Sequence, residues 1–358
     1  MASVNIPEKP IEIFCGTGGV GKTTLSTSRA LFLASQGKSV LLITIDPAKR
    51  LKQILGITDE QAGNVSTIPV NKFPGFEQST ASFDALLMSP RRTLYRMGKT
   101  TLQDKESQSL PQDLENPILE ILTRPNGGMN EIMAMIEVEH YIASKKYQTI
   151  ILDTPPGKHF IDFLEAAHKI QKFFDKSFID IFKYLGKSLN KIEKSAPRRL
   201  LTMVVSSGVK KLLSYLGKVT GDRFVNTFVD AIVILYNNKD HFLEALKFQE
   251  QLKVQSFSNW FLVAAVDQQK ILDASKLQNR AVTFMHEDNF LAINKCLGKE
   301  LSGWQPQESC QIELKNSMLK KEESLKYFAA RNFKSIIEFP DIAQSSPEVH
   351  VALLAKNW

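Results

Sequence analysis

A glycine-rich loop, set between a short apolar run and a helix-forming stretch, places the strongest constraint on how this chain can fold. The loop at residues 16–24 reads Gly-Thr-Gly-Gly-Val-Gly-Lys-Thr-Thr, which is a complete GxxxxGK[ST] pattern. It follows the apolar run 11–15 and precedes the helix-forming residues 26–35. The pattern predicts a strand, a phosphate-binding turn and a helix in succession. The alternative is a glycine-rich turn whose lysine is only solvated.

Each residue type in this loop has a function in holding a nucleotide. Glycines let the backbone curl so that N–H groups point at phosphate oxygens, and the following helix adds the positive end of its dipole. We expect Lys22 to bridge the β- and γ-phosphates and the Thr23 hydroxyl to ligate Mg²⁺. The predicted nucleotide-binding residues of the loop are Gly16, Thr17, Gly18, Gly19, Val20, Gly21, Lys22, Thr23 and Thr24.

Composition favours a globular protein of ordinary solubility. The 358 residues are 43% apolar and 23% charged, which leaves disorder unsupported. The first residues lack a basic region followed by an apolar run, so we expect a cytoplasmic protein. The three cysteines, Cys15, Cys296 and Cys310, have no C-x-x-C spacing, so neither a disulfide framework nor a zinc site is indicated. We expect Cys15 and Cys296 to be small core residues.

Apolar, β-branched runs recur along the chain and alternate with long helical patterns. Buried strands that interleave with helices predict an α/β fold with a doubly wound, mostly parallel sheet, as in P-loop NTPases. The predicted strands are Ile11–Cys15, Ser39–Ile45, Thr149–Leu152, Phe261–Val266, Phe290–Ile293 and Ser335–Phe339.

Two stretches depart from this alternation. Residues from about 78 to 135 hold few strand candidates, and residues 160–255 have the pattern of almost continuous helix. We interpret both as insertions that form a helical subdomain within a single P-loop domain spanning 1–358. The nucleotide-binding core is then formed by residues from about 1–77, 140–160 and 256–358.

Positive charge is concentrated in one part of the chain. Residues 169–218 hold twelve Lys or Arg and three acidic residues, so the net charge of this segment is +9. The whole chain has a net charge of +7, so the rest of the chain has a net charge of −2. No specific nucleic-acid partner is therefore predicted. The lysines either form a solvated face on buried helices or line the rim of an apolar groove. Such a groove would receive a hydrophobic helix client or a membrane-associated partner.

Two aspartates follow predicted strands at the sheet edge where ligands of open α/β folds bind. Asp46 follows one strand and Asp153 follows another. One such carboxylate fits a Mg²⁺ site, and a second near the γ-phosphate can orient or deprotonate water. Either one could instead be a helix N-cap. The predicted metal-site residues are thus Thr23, Asp46 and Asp153, and the predicted catalytic residues are Asp46 and Lys22.

Two longer segments make a family resemblance specific. Residues 44–51 (TIDPAKRL) and 153–164 (DTPPGKHFIDFL), together with the loop, resemble the family of arsenite-efflux ATPases and tail-anchored-protein targeting ATPases, in particular a bacterial branch. The resemblance implies a dimeric ATPase that uses ATP and Mg²⁺. It further implies that Asp46 activates water in switch I and that Asp153 senses the metal and the γ-phosphate in switch II.

Asn294 ends the apolar run 290–293 and resembles the asparagine that reads adenine in this family. The alternative is a turn-forming residue at a strand end.

The chain departs from the family pattern in three ways. Thr17 replaces a signature lysine that crosses the dimer to the partner's nucleotide, so hydrolysis should be slow or should depend on a lysine-bearing partner subunit in a heterodimer. The zinc-binding C-x-x-C of the targeting factors is missing, and the arsenite-binding cysteine triad has no counterpart. Metalloid pumping is therefore not expected.

Three functions remain open from the sequence. The first is a regulatory ATPase whose nucleotide state moves the helical subdomain to bind or release a client. The second is a nucleotide-binding partner subunit of a heterodimer that does not hydrolyse ATP, which Thr17 favours. Whether the chain forms a homodimer or a heterodimer with a related lysine-bearing ATPase subunit stays open. The third is a P-loop phosphotransferase, which the Asp-Pro-Ala and Asp-Thr-Pro-Pro segments disfavour.

Overall fold

The structure is a computed structural model of the chain. It describes residues 6–45, 49–101, 130–165, 238–343 and 346–358, together with positions 117, 119, 227, 231, 234 and 235. Among the helices in these ranges, none combines the length and apolar character needed to cross a bilayer.

An eight-stranded sheet forms the centre of the described structure. Its strands are β1 (Ile11–Gly16), β2 (Val40–Thr44), β3 (Val65–Pro69), β4 (Ser82–Leu87), β5 (Thr149–Asp153), β6 (Ser258–Ala265), β7 (Phe290–Cys296) and β8 (Ser335–Pro340). Their spatial order is β3-β4-β2-β5-β1-β6-β7-β8. β3 runs antiparallel to β4, and the other neighbouring pairs are parallel. The predicted α/β fold with a mostly parallel sheet is therefore confirmed.

Helices connect these strands, and sequence signals at several helix ends explain where they begin. The helices are α1 (Lys22–Ser35), α2 (Lys49–Leu55), α3 (Pro90–Thr101), α4 (Asn130–Ala143), α5 (Lys158–Leu164), α6 (Lys239–Gln251), α7 (Gln268–Ala281), α8 (Gly298–Gly303), α9 (Ser309–Ala330) and α10 (Pro347–Ala355). α7 begins after Asp267, whose side chain accepts a hydrogen bond from the Lys270 N–H at 3.0 Å. α10 begins after Ser346 with proline in its first position. Both are standard start signals.

The sequence analysis did not predict two strands of the sheet, β3 and β4. β3 is an edge strand that ends in proline, and only one of its five residues is buried, so its hydrophobic alternation is weak. β4 contains Asp84, a residue type that is rare in strands. Asp84 accepts hydrogen bonds from the Tyr147 hydroxyl at 2.7 Å and from the Thr67 hydroxyl at 2.7 Å. The sheet thus continues through Leu87, beyond the predicted start of the helical insertion near 78.

The hydrogen bonds of Asp84 also determine its charge state. Burial would raise the pKa of this carboxyl, but the hydrogen bonds from Thr67, Tyr147 and Lys146 outweigh burial and leave the pKa lowered. Asp84 is therefore an ionised strand residue whose carboxylate accepts hydrogen bonds from Thr67, Tyr147 and Lys146.

Aromatic side chains form the core on one face of the sheet. The Phe14 and Phe261 rings are stacked with their centroids 4.6 Å apart, and the Phe261 and Phe290 rings are stacked with their centroids 5.2 Å apart. Trp358 meets Phe14 and Phe261 edge-on and lies 4.5 Å from the Phe339 ring. Each such pair contributes about 0.5–1.5 kcal/mol beyond the burial of its area. This layer joins β1, β6, β7 and β8 through side chains.

A buried ion pair connects α1 to β1 on the same face of the sheet as the aromatic side chains. The Arg29 guanidinium donates from Nε and Nη2 to the two carboxylate oxygens of Glu12, each at 2.8 Å. Arg29 is 3% exposed and Glu12 is 0% exposed. Trp358 lies against the guanidinium, with 5.2 Å from Cζ to the ring centre, and its indole N–H donates to the Ser28 hydroxyl at 2.7 Å.

The chain divides into two compact units. The first comprises the described residues of 1–88, 138–164 and 248–358, and it contains the whole sheet. The second comprises those of 89–137 and 165–247. In the second unit, the buried Glu137 carboxylate accepts a hydrogen bond from Arg96 at 2.7 Å. Because most of 166–237 lies outside the described residues, the inserted helical subdomain stays a prediction.

Candidate nucleotide-binding site

The glycine-rich loop leaves β1 at Gly16 and enters α1 at Lys22, as the motif predicts. Two of its glycines are required by their surroundings. At Gly16, with φ +156°, a Cβ atom would lie 2.4 Å from the Val263 carbonyl oxygen of β6. At Gly21, with φ +97°, a Cβ atom would lie 2.2 Å from the Asn294 amide nitrogen. A larger residue at either position would disturb the loop.

The first turn of α1 is suited to binding an anion. Gly21 occupies the N-cap position, where a glycine has no side chain with which to cap the first N–H groups. The first turn, Lys22-Thr23-Thr24, has no acidic residue. The first-turn N–H groups and the helix dipole therefore present positive charge at the loop.

Lys22 lies inside the loop rather than in solvent. Its side chain is 8% exposed, and its ammonium donates to the carbonyl oxygens of Gly16 at 3.1 Å and Thr17 at 3.0 Å. A buried ammonium at the mouth of a phosphate-binding turn is a suitable counter-charge for phosphate oxygens. The alternative of a solvated lysine does not fit this burial.

Asp153 is the last residue of β5 and lies beside both neighbouring strands. It pairs in register with Phe14 of β1 and with Thr44 of β2. Its Oδ2 atom accepts a hydrogen bond from the Thr23 hydroxyl at 2.8 Å and another from the Thr44 hydroxyl at 2.8 Å. The sequence analysis proposed Thr23 and Asp153 as partners at a metal site, and the fold brings these two side chains into contact.

Thr44 is a residue of the candidate site that the sequence analysis missed. It is 0% exposed and precedes Asp46 by two positions. A buried threonine at the end of a strand is common, so nothing in its own neighbourhood distinguishes it. Only the register between β2 and β5 indicates that its hydroxyl lies next to Asp153.

The segment after Asp153 is tied to the loop through its backbone. The Thr154 N–H and hydroxyl both donate to the Phe14 carbonyl, at 3.2 and 2.8 Å. The Gly157 N–H donates to the Gly16 carbonyl at 3.1 Å. The Gly16 carbonyl also accepts a hydrogen bond from the Lys22 ammonium. One oxygen atom of the glycine-rich loop is thus bonded both to Lys22 and to the segment after β5.

Asp46 lies outside the described residues. The strand that leads to it ends at Thr44, and the next residue, Ile45, donates its N–H to the Asp153 carbonyl at 3.1 Å. The chain therefore approaches Asp46 from directly beside Asp153. The functions assigned to Asp46 remain predictions.

Asn294 packs against the phosphate loop from β7. Its side-chain Nδ2 donates to the Val20 carbonyl at 3.0 Å. Its Oδ1 is buried and has no hydrogen-bond partner among the described residues. The next residue, Lys295, has a φ of +66°, which is uncommon for a residue other than glycine. An unsatisfied buried acceptor at this place fits the amino group of an adenine base.

Comparison with known proteins identifies the family. The family profile described as anion-transporting ATPase matches residues 10–254, more than half of the chain, including the glycine-rich loop and Asp153. The chain belongs to the anion-transporting ATPase family.

Individual relatives agree with this family. The ATPase GET3 of Malassezia globosa is 31% identical over 178 residues, which is 49% of this chain and 47% of that protein. The ATPase GET3 of Mycosarcoma maydis is 32% identical over 179 residues, 49% of this chain and 46% of that protein. The arsenical pump-driving ATPase of Acidiphilium multivorum is 33% identical over 177 residues, 48% of this chain and 28% of that protein. The chain therefore spans about half or less of these curated relatives.

The cysteines of this family member do not form a thiol site in the described structure. Cys15 is buried in β1, and burial raises the pKa of its thiol to about 12. Burial likewise raises the pKa of Cys296 to about 12, whereas Cys310 is exposed on α9. Both buried cysteines are thus protonated core residues, as the sequence predicts.

One group of potential metal ligands lies at the end of β7. The Cys296 sulfur and one carboxylate oxygen each of Glu322 and Glu338 lie within 4.8 Å of one another. The Lys326 ammonium, however, pairs with Glu322 at 2.8 Å and with Glu338 at 2.6 Å. Because this lysine forms an ion pair with each carboxylate, we assign the group to a structural ion-pair cluster.

Proposed function

We propose that this member of the anion-transporting ATPase family binds ATP with Mg²⁺ in the glycine-rich loop and hydrolyses it to ADP and phosphate. The observation that carries the proposal is the 2.8 Å contact between the Thr23 hydroxyl and the buried Asp153 carboxylate, beside the buried Lys22. Relatives named as ATPases support hydrolysis.

Different residues of the proposed site bind different parts of Mg²⁺·ATP. Lys22 and the first-turn N–H groups of α1 hold the phosphates, and Asn294 holds the adenine through its unsatisfied Oδ1. Thr23 and Asp153 provide the oxygen atoms that Mg²⁺ prefers. When bound, Mg²⁺ neutralises phosphate charge.

Asp46 is our candidate for the general base that accepts a proton from the attacking water. The resemblance of residues 44–51 to the family supports this assignment, as does the position of Asp46 two residues after Thr44, the register partner of Asp153.

Replacement of Lys22 tests the binding site. Lys22→Ala should weaken Mg²⁺·ATP affinity by at least about 100-fold, because two charge-assisted contacts to phosphate are lost. Isothermal titration calorimetry measures the change. Lys9→Ala is a matched control, since Lys9 is also 8% exposed and donates to a backbone carbonyl, that of Ser258 at 2.9 Å. Undiminished affinity in Lys22→Ala would refute the site.

Replacement of Asp46 separates binding from hydrolysis. Asp46→Asn should keep ATP bound while turnover falls by about 100-fold or more, because an amide cannot accept the proton of water. Release of phosphate in single-turnover experiments at high protein concentration measures the rate. Hydrolysis at the parental rate would show that Asp46 is structural.

A binding subunit that does not hydrolyse ATP is the second candidate, and Thr17 is the observation that favours it. Thr17 has no cationic side chain, and its backbone carbonyl accepts the Lys22 ammonium. A hydroxyl cannot neutralise developing phosphoryl charge as an ammonium does. If wild-type protein binds ATP but releases no phosphate in a single turnover, this second function replaces the first. Addition of a lysine-bearing subunit then tests the heterodimer.

The proposed regulatory output involves residues 169–218, which lie outside the described residues. Their +9 charge and helical apolar period support a binding surface for an apolar helix or an acidic membrane. We expect ATP·Mg²⁺ and ADP to give different hydrogen-exchange protection in this segment. Identical protection in the two states would refute nucleotide control.

A further inference from the structure

Thr44 of β2 contacts the same Asp153 carboxylate that Thr23 of α1 contacts. It ends β2, its side chain is 0% exposed, and its hydroxyl donates to Asp153 Oδ2 at 2.8 Å. The same oxygen accepts the Thr23 hydroxyl at 2.8 Å. One carboxylate oxygen is thus held by a residue of the sheet and by a residue of α1.

The two hydroxyls differ in what they can still bind. Thr23 is half-buried in the first turn of α1, and a hydroxyl that donates its proton keeps its lone pairs for a cation. Thr44 is fully buried in the sheet and pairs in register with Asp153. Its hydrogen bond holds Asp153 Oδ2 from within the sheet and does not depend on whether Thr23 binds a cation.

We propose that Thr44 is a positioning residue for the magnesium site, which acts by holding the Asp153 carboxylate against Thr23. This inference rests on the proposed function, because it assumes that Thr23 and Asp153 hold Mg²⁺. Without the Thr44 hydroxyl, Asp153 Oδ2 loses the hydrogen bond that holds it from within the sheet, and the geometry of the two oxygen ligands changes. The affinity for the metal falls, while the phosphate contacts of Lys22 and the α1 N–H groups are unchanged.

A positioning function and a purely structural function of Thr44 predict different effects of Mg²⁺ on nucleotide binding. A general loss of packing would weaken nucleotide binding whether or not Mg²⁺ is present. A misplaced Asp153 weakens binding only when Mg²⁺ is present. The quantity to measure is therefore the magnesium gain, defined as the ratio of the ATP dissociation constant in EDTA to that in saturating Mg²⁺.

The experiment measures this gain by calorimetry with a non-hydrolysable ATP analogue. Thr44→Val removes the hydroxyl and retains the branched shape, and it should lower the magnesium gain about tenfold, which is the effect of one charge-assisted hydrogen bond. Its dissociation constant in EDTA should stay within about twofold of the parental value. Thr44→Ser should restore most of the gain because it restores the donor.

Thr149→Val is the matched control. Thr149 is also a buried threonine, on β5 itself, but its hydroxyl donates to the Lys9 carbonyl at 3.1 Å. It should keep the parental magnesium gain. If Thr44→Val does not fold, the pair Thr44→Ser and Thr44→Ala tests the same hydroxyl with smaller side chains.

The outcomes are distinct. A parental gain in Thr44→Val, or an equal loss of affinity in EDTA and in Mg²⁺, overturns the inference and leaves the proposed function intact. A wild-type protein that binds the analogue with no magnesium gain overturns the proposed magnesium site and this inference together. A selective loss that serine rescues supports both.

Discussion

Two side chains of helix α1 contact buried carboxylates of the sheet, and we call these contacts the central attachment and the attachment at the helix start. In the middle of the helix, Arg29 meets Glu12 of β1 through two hydrogen bonds of 2.8 Å. At the first turn, Thr23 meets Asp153 of β5 through one hydrogen bond of 2.8 Å. The carboxylates have similar burial, 0% exposed for Glu12 and 3% for Asp153.

The difference between these attachments lies in their partners. A guanidinium fork satisfies both oxygens of Glu12 with a permanent positive charge. A hydroxyl fixes the direction of Asp153 and can still offer its lone pairs to a cation. The comparison teaches that the central attachment has the chemistry of a structural ion pair, whereas the attachment at the helix start keeps the lone pairs that the proposed magnesium site requires.

The largest expected effect comes from breaking the central attachment. Arg29→Met should lower the free energy of unfolding by about 3–5 kcal/mol, because Glu12 is left charged and buried. Urea denaturation measures the loss. Lys253→Met is the control, since it breaks an exposed ion pair with Glu250 and should change stability by less than about 1 kcal/mol. A loss below about 1 kcal/mol in Arg29→Met would contradict a stabilising function for this pair.

A smaller effect on stability, with a selective effect on binding, is expected at the helix start. Asp153→Asn keeps a carbonyl oxygen for the two threonine hydroxyls but removes the carboxylate charge. The magnesium gain in ATP affinity should therefore fall by at least about tenfold. Calorimetry in Mg²⁺ and in EDTA measures it. If Asp153→Asn unfolds as readily as Arg29→Met and retains the gain, the two attachments do not differ in function.

The smallest effect on stability is expected from Trp358, which packs against Arg29 of the central attachment. Trp358→Phe keeps an aromatic ring beside Phe339 but removes the N–H donor to Ser28 and weakens the contact with Arg29. We expect a loss of about 1 kcal/mol in the free energy of unfolding. ATP affinity should be unchanged within about twofold. A change in affinity without a change in stability would link Trp358 to the ligand instead.

The sequence predicted the strong strands and the turn of the glycine-rich loop because these depend on local patterns. β1, β2, β5 and β7 are mostly apolar and almost wholly buried, and the loop motif specifies its own turn through glycines. β3 and β4 were missed because an exposed edge pattern and an aspartate inside a strand give weak local signals. The hydrogen bonds that satisfy Asp84 come partly from Tyr147 and Lys146, which lie about 60 residues away.

The candidate site was predictable as a set of residue types but not as a set of contacts. The spacing of the loop indicates Lys22 and Thr23, and the position at a strand end indicates Asp153. Nothing local indicates Thr44, because its importance arises only from the parallel pairing of β2 with β5. Nor does the sequence indicate that Asn294 supports the loop in addition to its predicted contact with adenine.

The sequence by itself thus determined the fold class and the family, and it indicated the charged candidates for the site. The tertiary structure decided which of these residues touch. Thr44 and Asp153 are 109 positions apart, and Asn294 and Val20 are 274 positions apart. Hydrogen bonds over such separations depend on strand register and strand order. These are set by packing of the whole sheet, whereas a motif or a hydrophobic period reports only on neighbours in the chain.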